Sequence, residues 1–411
     1  MEESSITKRR TEECVTVYDP SKAYGGYTLF AQHASTDVWL IDMRGRIIHR
    51  WRMETPLGGD ERLLPNGNLL RINKTFREPS GAMGSVGERL LEVDWEGNVV
   101  WEHRNLTMHH DFYRFENGNT LINTHVRIPP EIVKKVKGGF PKSRKDGEIW
   151  GSGFQEITPD GKVVWEWIGH EHLNPETDVV CPICPLSIWG YVNGVDVFPN
   201  GDIVASFRDL NSIMIIDRKS GGIKWRWGSD RLGHQHNPLV LRNGNVLVFD
   251  NGFHRLFPEE YMDNFSIESN SRVLEVDPRT DKVVWMYEDE DIFAFYSPFA
   301  SGAERLPNGN TLICESSKGR IFEVTHEKEI VWEFVSPFYV KKGRMGLSNY
   351  IFRAHRYGYD FPGLAERDLS PDRFDFVIRE EGKPEIKSLD PQSQKATDEE
   401  TALRRLSDLG Y

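Results

Sequence analysis

The 411-residue sequence predicts an all-β fold: a six-bladed β-propeller of four-stranded antiparallel blades, with a short C-terminal helical tail. Two recurring patterns carry that prediction. Asn-Gly pairs flanked by apolar runs stand at Asn66-Gly67, Asn117-Gly118, Asn200-Gly201, Asn243-Gly244 and Asn308-Gly309, with a degenerate copy at Gly25-Gly26. Asn-Gly is the preferred pair for a two-residue turn in which both residues need positive φ, so each copy marks a tight hairpin. A second pattern follows every hairpin: an apolar strand, a turn, and a strand closing on an aromatic residue at His49, Trp101, Trp165, Trp225, Trp285 or Trp332. These closing residues recur every 47 to 64 positions. Two hairpins per repeat make four strands, and a period near fifty is that of a propeller blade.

Taken in order, the elements divide the chain into a ring over 1–357 and a charged extension over 358–411. The runs Cys14–Tyr18 and Asn349–Tyr357 read as strands that close the ring and remove its free edges. The closing aromatics are expected to pack between neighbouring blades. Insertions at 75–88, 126–150 and 166–190 fall between the paired strands, where loops can grow on the working face or its rim. The basic run Lys134–Lys145 reads first as a solvated face and second as a lid over an anionic substrate. In the extension, Thr397-Asp398-Glu399-Glu400 with Leu403, Leu406 and Leu409 predicts a short capped amphipathic helix.

Charge and composition narrow the function classes. With 63 acidic and 51 basic residues the net charge is −12, which argues against a nucleic-acid or anionic-membrane partner. No apolar run is long enough for a spanning helix, and the first ten residues lack the apolar core of a secretory signal, so a cytoplasmic location is expected. Four cysteines are too few for a disulfide framework. Oligomeric state is not encoded in any of these features.

Hairpin register locates the working face. With the turn residues numbered 0 and 1, positions −7 and +8 pair at the end away from the turn. These positions are Tyr18 with His33, Gly59 with Lys74, His110 with His125, Asn193 with Arg208, His236 with Asn251, and Ser301 with Ser316. Nearly all are polar at the ends of otherwise apolar strands. The first strand of each hairpin should be innermost, so the set crowds one mouth of the central channel. Register turns His110 inward and His109 toward a neighbouring blade. Imidazoles near a guanidinium and an amide equip a site for nucleophilic or general-base chemistry on an anionic small molecule. The structural alternative for any one of them is a hydrogen-bonded residue lining a polar channel. No phosphate-binding or dinucleotide glycine motif is present, so neither a nucleotide-derived sulfate donor nor a nicotinamide is expected.

At these residues the chain resembles the arylsulfotransferase family of six-bladed propeller enzymes. The resemblance spans roughly 25–357. It rests on the Asn-Gly hairpins, His109-His110-Asp111, Asn193-Gly194-Val195-Asp196, Ser206-Phe207-Arg208-Asp209, Gln235-His236-Asn237 and the run from Ser301 to Leu312. It implies transfer of a sulfuryl group from an aryl sulfate to a phenol through a sulfated histidine, without a cofactor. Carried over, His236 matches the nucleophile, Arg208 the sulfuryl-binding arginine, Asn193 the amide and His110 a supporting histidine. Tyr191 stands where the family has a further histidine. His33, Lys74, His109, His125 and Asn251 complete the expected substrate-contacting set. Two alternatives stay open: a lyase or hydrolase in which the histidines act as base or bind a metal, and a non-catalytic binding propeller. Cys181-Pro182-Ile183-Cys184 with His170 and His172 reads first as free thiols in a loop and second as a small zinc site.

Overall fold

In the computed structural model, residues 14–74, 87–140, 147–255, 270–342, 346–371, 377–380 and 383–386 are described. Their strands pair into six antiparallel groups of four, which are the blades. The first contains Gly26–Gln32, Asp37–Ile41 and Ile47–Arg52, with Ile351–Gly358 as its innermost strand. The innermost strands of the next five are Leu57–Leu63, Met108–Arg114, Val192–Val197, His236–Val240 and Gly302–Arg305. A single parallel pairing of Gly59 with His110 joins blades two and three into one continuous sheet. Glycine is required at 59, since a Cβ there would lie 2.6 Å from the His110 carbonyl oxygen. Each innermost strand touches the next around the ring, and the last returns to the first.

Both ring-closing strands are present. Ile351–Gly358 runs antiparallel to Gly26–Gln32, and Val15–Tyr18 adds a fifth, outermost strand to blade six through Tyr18 opposite Trp332. The closing aromatics then tie blade to blade. Trp51 Nε1 donates to Asp94 O, Trp101 to Pro159 O, Trp165 to Arg218 O, Trp225 to Asp281 Oδ1, Trp285 to His326 O and Trp332 to Met43 O, at 2.6 to 3.1 Å. Every bond enters the following blade, and the sixth re-enters the first. In blade one the closing residue His49 stacks on Trp95 at 3.9 Å, and Trp51 supplies the indole bond.

Three expectations are corrected. The Asn-Gly turns are not two-residue loops with both φ positive: only the glycines are left-handed, as at Gly67 with φ 83°. Gly67 N donates to Leu64 O and Leu64 N to Asn68 O, so a type I turn is followed by a bulged glycine. The asparagine serves through its side chain, Asn66 Oδ1 accepting from Asn68 N at 3.0 Å, and the same bond recurs at Asn117, Asn200, Asn243 and Asn308. The extra loop residue moves the register by one. Second, Gly25-Gly26 is no hairpin turn: Gly26 opens a strand whose partner is Ile351–Gly358, so Tyr18 and His33 are not paired. Third, the insertion at 126–150 is not simply a loop: its described part holds a helical turn Pro130–Val133 and a strand Gly138–Phe140 pairing with Val180–Pro185. The helix expected over 397–409 and most of the 75–88 insertion lie outside the described residues; residues 377–380 and 383–386 form a hairpin. No helix among the described residues is long and apolar enough to cross a membrane.

Candidate functional site

Innermost strands lose regular register where they reach one end of the channel. Shifts fall between Leu57 and Glu61, opposite Ile122 to Thr124, between Val192 and Gly194, and between His236 and Leu239. His110 and Asn237 take left-handed φ of 59° and 52° there. A bulge turns side chains out of strict alternation, so adjacent residues such as His109 and His110 can both contribute to one cluster.

His236 is 4% exposed. Its Nδ1 lies 3.0 Å from His234 O and 2.8 Å from Asn251 Oδ1. Asn251 Nδ2 donates to the carbonyls of Ser297 and Ala300, which fixes its oxygen toward the imidazole. Both partners of Nδ1 are acceptors, so Nδ1 carries the proton and Nε2 keeps its lone pair. No hydrogen bond among the described residues occupies Nε2. Burial, reinforced by Arg208, pushes the imidazole down to about 3, so the ring is neutral near neutrality.

Beside it is an aromatic group of His109, His110, His125 and Tyr191. His110 Nδ1 meets His109 Nδ1 at 3.0 Å and its Nε2 meets Tyr191 Oη at 3.3 Å. His109 stacks on His125 at 4.0 Å, within its own hairpin, rather than facing only the neighbouring blade as register implied. Burial, then the nearby imidazoles, holds His109 and His110 well below the ordinary histidine range, and burial pushes His125 down to about 4.

Arg208 opens a 3-10 turn, Arg208–Leu210, directly after its strand, and its backbone N donates to Tyr191 O at 2.7 Å. The following Asp209 spends its carboxylate on the backbone N–H groups of Gly190 and Tyr191. The Arg208 guanidinium is therefore left without a hydrogen bond or ion pair among the described residues, half-buried among histidines whose charged forms it disfavours. Asn193 donates through Nδ2 to Gln235 O at 2.8 Å, the peptide just before His236, while its Oδ1 is buried with no hydrogen bond among the described residues.

A buried ionic cluster adjoins these groups. Arg353 Nη1 bridges Asp60 and Asp111 at 3.1 and 3.0 Å, Arg62 reaches both carboxylates, and His355 Nε2 meets Asp60 at 3.2 Å. Arg353 Nε and Nη2 are buried and make no hydrogen bond among the described residues. The structure thus assembles His236, Asn251, Asn193, Arg208, His110, His109, His125 and Tyr191. His33 instead stacks on Tyr350 at 5.2 Å, and Lys74 ends its strand half-buried, with no hydrogen bond to the cluster. Arg353, Asp60, His234 and His254 were not found from the hairpin offset, because the first lies on the ring-closing strand and the others fall off the −7 and +8 positions.

The sequence profile of the arylsulfotransferase (ASST) family matches residues 85–337. The chain belongs to the arylsulfotransferase family. The match contains every assembled residue from His109 to Asn251 and makes the chain, in general terms, a sulfuryl-transferase-like protein. No curated protein matches it. Among solved structures it is similar to a protein of unknown function from Bacteroides caccae, at 13% identity and TM-score 0.50, covering 80% of this chain and 98% of that one. A streptogramin B lyase is also similar, at 13% identity and TM-score 0.42, covering 79% of this chain and 86% of that chain. Virginiamycin B lyase from Staphylococcus aureus follows at 12% and 0.36, covering 68% and 69%. At such identities the likeness shows the fold alone.

Proposed function

We propose that this protein transfers a sulfuryl group from an aryl sulfate to a phenolic acceptor through a sulfated His236. The observation that carries the reading is the fixed tautomer of His236 beside a guanidinium that no described residue hydrogen-bonds or ion-pairs. Nε2 attacks sulfur, the N–S bond forms as the S–O bond to the aryl group breaks, and phenolate departs. Positive charge developing on the ring is stabilised by the two acceptors on Nδ1–H, which are in place before reaction. Arg208 offers a planar fork to the sulfuryl oxygens, and the second Nδ2 proton of Asn193 offers one more donor. In the second half-reaction an acceptor phenol, losing its proton to a neutral imidazole of the His110 group, attacks sulfur as the N–S bond breaks and frees His236.

Rapid mixing with 4-nitrophenyl sulfate should give a burst of nitrophenol, ping-pong kinetics and an acid-labile adduct of one sulfuryl group on the peptide containing His236. His236→Ala should lose burst and adduct together. A burst that survives in that variant, or turnover with no adduct, would overturn the assignment.

A further inference from the structure

Cys181, Cys184, His234 and His254 bring one donor atom each to a common point outside the His236 site, all within 4.8 Å of one another. Cys184 Sγ lies 3.2 Å from His234 Nε2, and His254 Nδ1 lies 3.6 Å from Cys181 Sγ and 3.7 Å from Cys184 Sγ. Tetrahedral zinc, with bonds of about 2.3 Å to sulfur and about 2.0–2.1 Å to nitrogen, needs ligand-to-ligand edges of roughly 3.4–3.8 Å. The two distances from His254 fall in that range, the 3.2 Å contact is slightly shorter, and all four donor atoms lie close enough for small side-chain shifts to complete the shell. We infer that these four residues hold a structural zinc ion.

The four come from two distant parts of the ring. Cys181 and Cys184 lie on Val180–Pro185, in the insertion after blade three, where Pro182 and Ile183 point outward and the thiols inward. His234 and His254 flank the first two strands of blade five, and both take left-handed φ, 54° and 59°. Such conformations in residues other than glycine persist where surrounding structure dictates them. Phe253 stacks on His254 at 3.8 Å and meets His234 edge-on at 5.5 Å, which orients both rings. His234 is fully buried, and each cysteine is 3% exposed. Cys181 also lines a cavity of about 770 Å³.

Two thiolates and two neutral imidazoles cancel the charge of a dication, so the loaded centre is neutral in its buried position. Thiolate with imidazole in tetrahedral array selects zinc, and four protein ligands leave no open coordination position, which marks a structural rather than a catalytic ion. His170 and His172, the histidines nearest the Cys pair in sequence, are not part of it: the His172 ring stacks on Trp167. The ion would clamp the insertion onto blade five and hold the His234 peptide whose carbonyl accepts from His236 Nδ1.

Elemental analysis of the full chain, purified under reducing conditions without chelator or affinity metal, should find one zinc ion per chain. Cobalt substitution should give thiolate-to-metal charge-transfer absorption and the intense visible bands of a tetrahedral ion. His254→Ala and Cys181→Ser should lower zinc content and remove or shift those bands, while His172→Ala keeps both. Because the cysteine variant could fail to fold, the cobalt spectrum of the unmutated protein is the independent measurement. Absence of both zinc and the charge-transfer band in reduced, folded protein, or full zinc content in His254→Ala and Cys181→Ser, would overturn the site.

Discussion

His236 and Asn251 are joined by a 2.8 Å hydrogen bond although the backbone pairs His236 with Phe249. The bulge between His236 and Leu239 releases the imidazole from strict register and lets it meet a residue two positions farther along the partner strand. Asn251→Ala removes the acceptor that helps orient the ring and should lower kcat about 10–100-fold with a smaller change in KM, measured with 4-nitrophenyl sulfate.

Arg208 gives a separable prediction, because its guanidinium makes no hydrogen bond or ion pair with a described residue. Arg208→Ala should cost about 10²–10³ in kcat/KM, and Arg208→Lys should recover only part of that, since a point charge replaces a fork. Thermal melting should stay within about 0.5 kcal/mol of wild type in both. A large stability loss would mean that the side chain is structural.

Tyr191 touches His110 through its hydroxyl at 3.3 Å. Tyr191→Phe keeps the ring stacked beside His109 and His125 and should reduce turnover by less than about tenfold, the scale of one neutral hydrogen bond. Tyr191→His restores the residue type of the family pattern and should raise turnover above the Phe variant.

Stability should depend on alkaline pH through His355. Burial disfavours its charge, but Asp60, aided by Glu304 and opposed by Arg62, holds it up at about 9. A histidine whose folded value exceeds the unfolded value of about 6.5 stabilises fully below 6.5 and loses that contribution as pH rises through 9. The contribution is up to about 3 kcal/mol. Urea midpoints of wild type and His355→Gln, compared from about pH 6 to about pH 10, should converge as pH increases.

Ring closure depends on a glycine. A Cβ on Gly26 would fall 2.1 Å from Tyr357 O, in the pairing of Gly26 with Gly358. Gly26→Ala should therefore cost roughly 1–3 kcal/mol, read as a lower urea midpoint.

The blade period was legible because turn chemistry and aromatic strand ends repeat on the chain itself. Register was not, since Asn-Gly serves both a two-residue turn and a type I turn with bulged glycine, and only the backbone of Asn66 and its fellows separates the two. The offset nevertheless brought out His110, His125, Asn193, Arg208 and His236, because one residue of slip still leaves them at the channel end. It missed Arg353, which reaches Asp60 and Asp111 from the far end of the chain, and His234 and His254, whose association with the Cys pair depends on how an insertion folds back.

The order in which the ring closes has a consequence for synthesis. A nascent chain that has emerged through blade six already carries His236, Arg208 and the whole histidine group, but the inner edge of Gly26–Gln32 is still bare and Arg353 has not been made. Asp60 and Asp111 then keep Arg62 but lack the second, fully buried guanidinium between them. A truncated product ending before Ile351 would thus lack the Arg353 cation and present an unpaired strand edge on which a chaperone, or another unfinished chain, can dock.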